Sequence, residues 1–273
     1  MNKFARAMAL TLSLCVVPAT YGAEMSSPHT ADISLDGIAH ANSAIQITPY
    51  LWAAKLQGRI SPFRRGPTIG VDKPFSEVLD NLNFGGFIDL WGRHDRYVLS
   101  GDVAYVDTTE GHASGPLPAI GPLPPGASLA GEIDSQLFIA TLLGGYRVVD
   151  ASDFTLDALG GARFWHVSNK VKIKAPGLSR RYSENFGWAE PVIGARAFIR
   201  VSDALSLQAQ ANIGGFGVGS NFSWSALATL NYIITDNLSV SAGYKVLDVD
   251  YDHGGHVYDT RLSGPVLGAT WRF

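Results

Sequence analysis

Residues 256–273 read HVYDTRLSGPVLGATWRF, and this stretch decides the fold class. Its end alternates: Leu267, Ala269, Trp271 and Phe273 share one face, and Gly268, Thr270 and Arg272 share the other. That is the period-two pattern of a β-strand. An amphipathic strand with a free edge is prone to stray pairing, so this one needs a partner. The natural partner is the first strand of the same chain, and pairing with it closes a barrel.

The same alternation recurs upstream. Leu238, Val240, Ala242, Tyr244 and Val246 oppose Ser239, Ser241, Gly243 and Lys245. Phe222, Trp224, Ala226, Ala228, Leu230, Tyr232 and Ile234 oppose Ser223, Ser225, Thr229 and Asn231, and Leu205–Ile213 alternates with Ser, Gln and Asn. Earlier strands are expected at 182–201, from 154, and at 132–149, 97–109, 84–93 and 43–60, which gives ten in all. Tight turns fall near 93–96, 149–153, 201–204 and 235–238, and the other connections near 61–83, 111–131, 170–181, 217–221 and 252–255. Short turns on one rim and longer loops on the other, with both chain ends on the short-turn side, fit an all-β, closed antiparallel transmembrane barrel. A soluble β-sandwich also alternates, but its polar face should carry more Lys and Glu than the Ser, Gln, Asn, Thr and Gly present here. Aromatics near strand ends (Tyr97, Phe154, Phe164, Trp224, Tyr232, Trp271 and Phe273) suit girdles at two membrane interfaces.

Three connections have their own character. Within 61–83, Pro74–Leu82 predicts a short helix with Phe75, Val78, Leu79 and Leu82 on one face, placed as a plug in the barrel mouth or across its rim. Residues 111–131 hold five prolines and read as a loop. Residues 170–181 read as a basic loop, with Lys170, Lys172, Lys174, Arg180 and Arg181 either contacting lipopolysaccharide phosphates or simply solvated.

Composition agrees with this class. The 273 residues carry a formal charge of -3, only 16% charged residues, 30 glycines and 11% aromatics, and nothing basic enough for nucleic acid. Residues 1–23 read as a signal peptide, with Lys3 and Arg6 ahead of a short apolar run and Ala19 or Ala23 as cleavage points. Cys15, the only cysteine, lies inside it, so the mature chain is expected to lack disulfides and cysteine metal sites. Residues 24–42 read as a flexible periplasmic lead-in, and 43–273 as the barrel. No apolar run near 20 residues follows the N-terminus, so no transmembrane helix is expected.

Three motifs carry a resemblance: Thr48-Pro49-Tyr50-Leu51-Trp52, Phe75–Phe84 (FSEVLDNLNF) and Gly101–Asp107 (GDVAYVD). With the terminal Phe273 they resemble a proteobacterial family of exported outer-membrane β-barrel proteins of largely unassigned function. The resemblance implies an outer-membrane location, a last strand read by the barrel-insertion machinery, and contact with outer-membrane lipid and lipopolysaccharide. It implies no reaction, cofactor or catalytic residues.

Inward parity collects Asp89, Arg93, Asp102, Arg147, Asp157, Arg163, Glu190, Arg196 and Lys245, four acids against five bases. Charges in a narrow barrel are expensive unless paired. Two readings follow: an ion-pair network that fills the interior, or a narrow pore for small solutes or ions with mixed-charge selectivity. A monomer is expected. The alternatives are an outer-membrane enzyme, protease or lipid A-modifying, and a surface adhesin or antigen acting through its outer loops. Asp248, Asp250, Asp252, His253 and His256 near the last outer loop, with Asp107 and His112, supply carboxylate and imidazole for water activation. They match neither the ordered omptin protease pattern nor a metal-ligand spacing.

Overall fold

The computed structural model describes residues 43–61, 63–64, 67–114, 129–175 and 178–273. The expected signal peptide and lead-in lie outside the described residues. In chain order the elements are β1 (Ser43–Trp52), β2 (Lys55–Ile60), β3 (Ile69–Lys73), α1 (Phe75–Asp80), β4 (Leu82–His94), β5 (Tyr97–Ser114), β6 (Leu129–Asp150), β7 (Phe154–Ala175), β8 (Leu178–Arg200), β9 (Leu205–Gly214), β10 (Phe222–Thr235), β11 (Leu238–His253) and β12 (His256–Arg272).

β4 to β12 pair antiparallel in sequence order, and β1 joins β4 on one side and β12 on the other. Register at the closure sets Ile47 opposite Trp271 and Leu51 opposite Leu267. Ile45 and Phe273 exchange backbone hydrogen bonds of 3.2 and 3.0 Å. β2 continues β1 after a break at Ala53–Ala54 and pairs with the same strand, β12. The two form one stave, so the described residues close a ten-stranded barrel. β3 is an extra hairpin strand laid on β2 above the closed wall.

The exposure pattern inverts that of a soluble protein. Leu51 is 63% exposed, Leu142 55% and Leu267 59%, while Glu190 is 1% exposed and Ser206 and Ser223 are fully covered. Apolar residues face out and polar residues face in. Along β7 the outward run from Phe154 to Phe164 is bounded by aromatics, and along β10 the run from Phe222 to Tyr232 is too. Ten residues of tilted strand give a belt about 25 Å tall. Tyr97 packs on Tyr146 at one border (5.7 Å) and Phe84 on Tyr105 at the other (5.9 Å).

The long side departs from expectation in three places. The connection 61–83 contains β3, and Leu82 belongs to β4 rather than to the helix. The expected loop 111–131 is strand at both ends, as β5 reaches Ser114 and β6 starts at Leu129; residues 115–128 lie outside the described residues. Within the basic stretch 170–181 the described residues are strand, since β7 reaches Ala175 and β8 starts at Leu178, in register with Lys172 opposite Arg181. Its Lys170-Val171-Lys172-Ile173-Lys174 alternates with period two like any strand here. The β11–β12 hairpin turns at Gly254 and Gly255, both at positive φ (64° and 88°), which a two-residue turn of this hand requires.

Candidate functional site

The barrel interior is the candidate site, and its side chains lie in layers. Nearest the short-turn rim, Arg147 sits directly opposite Asp157 across β6 and β7 and pairs with it at 2.8 Å, with Asp150 at 3.3 Å. The Trp91 indole donates to Asp157 (3.3 Å) and lies between the Arg147 and Arg196 guanidiniums, 5.4 and 5.6 Å from its ring. Arg93 donates to the Asp95 carbonyl at 2.7 Å.

The middle layer crosses the lumen. Arg196 on β8 reaches Asp89 on β4 (3.4 Å) and Gln208 (3.0 Å). Lys245 on β11 reaches Asp102 on β5 (2.8 Å) and the Tyr50 hydroxyl (2.6 Å), and that hydroxyl donates to Asp102 (2.7 Å). Arg163 pairs with its opposite neighbour Glu190 at 3.2 Å and donates to Thr141, Ser223 and Asn212. Glu190 also accepts from Ser223 (2.7 Å), Trp165 (3.3 Å) and Ser220. Gly219 at φ +79° lets the β9–β10 loop lie against the Ala189 carbonyl, where a Cβ would come within 2.2 Å. That close approach carries Ser220 to Glu190. The nine charged residues named from parity face the interior, but that list omits Arg200 and Arg272, which line it as well, and gives no sign of Ser220, which reaches in from a loop.

Above this layer the interior turns aromatic. Trp165 stacks on Trp188 (5.2 Å), Trp188 on Tyr251 (3.9 Å), and Phe186 on His256 (4.3 Å), with Tyr258 edge-on to Trp165. These rings belong to β7, β8, β11 and β12 and pack against one another in the outer half. Burial pushes the Tyr258 phenol up to about 12 and raises that of Tyr251. His256 holds Glu184 at 3.2 Å. Within the polar layer are two cavities that share Asp89, Asp102, Leu227 and Lys245, each with room for only a few waters.

The helix α1 does not fill the lumen. None of its residues is buried, Phe75 and Leu79 are exposed, and Val78 and Leu82 are half-buried at the rim. A six-residue helix has too little apolar face to displace the strand-borne aromatics already packed in the mouth. Of the basic set, Lys172 pairs with Glu132 and, at 3.0 Å, with Asp134, whose carboxyl its ammonium holds below the usual range. Lys170, Lys174, Arg180 and Arg181 are exposed.

The expected acid and His set does not converge. Asp248 pairs with Arg261 (2.7 Å), Asp250 with Asn221 (3.3 Å), and Asp107 with Asn83 and Gln136. Among the described residues no three of His, Cys, Asp and Glu come together as a metal site. The side chain of His112 lies outside the described residues.

No family model matches the chain, and no curated protein is similar to it in sequence. Solved structures are similar in three dimensions. The outer membrane protease OmpT of Escherichia coli is 11% identical, covering 85% of this chain and 97% of its own, with a TM-score of 0.49. The translocator domain of the autotransporter NalP of Neisseria meningitidis is 15% identical, covering 87% and 91%, with a TM-score of 0.46. The attachment invasion locus protein Ail of Yersinia pestis is 14% identical, covering 85% and 99%, with a TM-score of 0.29. At these identities none of the likenesses bears on activity.

Proposed function

We propose that this chain is a monomeric outer-membrane β-barrel protein whose lumen is closed at rest, and that its role is structural rather than solute passage. The inverted exposure and the aromatic-bounded belt support membrane insertion with the short turns on the periplasmic side. One observation carries the closure: the lid of Trp165, Phe186, Trp188, Tyr251 and Tyr258 stacked above the Arg163–Glu190 pair. Aromatic faces on one side and paired charges on the other both oppose the passage of water and ions. The exported precursor loses residues 1–23, and β12 serves as the strand read by the insertion machinery.

Conductance in a planar bilayer tests the closure. The mature chain is expected to be silent, and Trp188→Ala with Tyr251→Ala is expected to give discrete steps. Steps from the unaltered chain would make it a narrow pore instead and end this reading. A second reading concerns the outer surface. Lys170, Lys174 and Arg181 are exposed on outward-facing strand positions beyond the belt, and their cations suit lipopolysaccharide phosphates. That arrangement favours a lipopolysaccharide contact over an enzymatic role.

A further inference from the structure

At the short-turn end the interior opens into a small cleft that is open to solvent. Arg147 on β6, Arg196 and Arg200 on β8 and Arg272 on β12 line it, against a single carboxylate, Asp157. Asp157 is already engaged by Arg147 and by Trp91. Arg196 has Asp89 and Gln208. Arg272 differs. It is only 7% exposed, its Nη2 donates to Ser239 at 2.8 Å, and its Nη1 is buried without a hydrogen-bond partner among the described residues. No carboxylate among the described residues pairs with it.

A buried guanidinium with an unmade donor and no counter-charge is unfavourable. Gln46 and Thr155 add polar groups to the same wall, and Trp91 closes one side with an apolar face. Guanidinium groups from three separate strands converge on one space; Arg147 and Arg196 already hold carboxylates in Asp157, Asp150 and Asp89, and Arg272 is the one whose buried donor is unmade. A tetrahedral dianion with several acceptor oxygens uses several forks at once, which a halide does not.

We propose that this cavity binds an oxyanion of the phosphate class, entering from the short-turn side, with Arg272 as its principal ligand. The inference uses the proposed function only to call that side periplasmic. Binding is read without conductance, so the two stand or fall separately.

The test is calorimetric titration of the folded chain, in detergent micelles at low salt, with inorganic phosphate and with glycerol 3-phosphate. Saturable binding of one phosphate per chain is expected, with chloride giving no matching heat. Arg272→Gln is expected to weaken it about ten-fold or more. Thr155→Glu, which places a carboxylate in the cavity and leaves every arginine in place, is expected to abolish it. The gel shift between unheated and heated samples reports folding, and if Arg272→Gln fails to fold, Thr155→Glu carries the test. Tighter glycerol 3-phosphate supports a phosphorylated headgroup as the source, and tighter inorganic phosphate supports the free ion. Absence of saturable phosphate binding, or equal affinity in Thr155→Glu, overturns the proposal.

Discussion

Replacing Arg163 by Met removes a guanidinium that is 2% exposed and leaves the Glu190 carboxylate, 1% exposed, without its cation. Breaking a buried pair from one side costs about 3–5 kcal/mol, because the remaining charge stays desolvated. Here Ser220, Ser223 and Trp165 still donate to Glu190, so the cost should fall near the lower end, about 3 kcal/mol. Removing both charges, as Arg163→Met with Glu190→Met, leaves no unpaired charge but takes the acceptor from Trp165, Ser220 and Ser223, and should cost about 2–3 kcal/mol, well below the sum of the two single changes. The single and double changes should therefore be coupled by about 2 kcal/mol or more. Urea unfolding of the refolded protein in micelles, followed by tryptophan fluorescence, measures this. Single changes that cost under about 1 kcal/mol and add without coupling would refute a structural role for the pair.

Two further outcomes follow from other layers. Leu142 lies outward at the middle of the belt, so Leu142→Arg should cost about 2–4 kcal/mol in lipid vesicles, and Ser183→Arg, outward beyond the belt, about 0–1 kcal/mol; equal costs would mean that lipid does not surround the belt. Tyr258 is protonated in both folded and unfolded chains below about pH 10, so its contribution is fully present there. Between about pH 10 and about 12 only the unfolded phenol ionises, and about 2–3 kcal/mol is lost. The unfolding midpoint should drop across that window, and drop less in Tyr258→Phe.

Inside the belt, the sequence was legible because one rule held throughout. Each strand meets lipid-like surroundings on one side and a wet interior on the other, so Ser206, Gln208 and Gln210 separate from Leu205, Leu207 and Ala209 without ambiguity. Beyond the belt the outer face meets water and the rule reverses. Lys170, Lys172 and Lys174 point out while Val171 and Ile173 point in, which hides strand continuation from a pattern tuned to apolar-out positions. The lid was hidden for a related reason. Phe186 and Trp188 share parity with Glu190, but a polar-in expectation passes over apolar residues at inward positions. The partners of each charge were legible only where register sets them opposite, as for Arg147–Asp157 and Arg163–Glu190. Asp89–Arg196 and Asp102–Lys245 depend on barrel diameter, which no local pattern encodes.

The closure of β1 on β12 also shapes how the chain reaches this state. Thr48 and Thr270, bonded at 2.8 Å, are separated by 222 positions, so the seam is a contact of nearly maximal sequence separation. Hairpins such as β10–β11 form from neighbours at small entropic cost, but the seam must gather almost the whole chain first. Until it does, β1 and β12 each present an unpaired edge, open to a strand from any other molecule. The seam is thus a late kinetic event that governs aggregation. A chain stopped short of β12 is left as a curled open sheet rather than a smaller barrel, and its refolding yield should fall steeply with concentration.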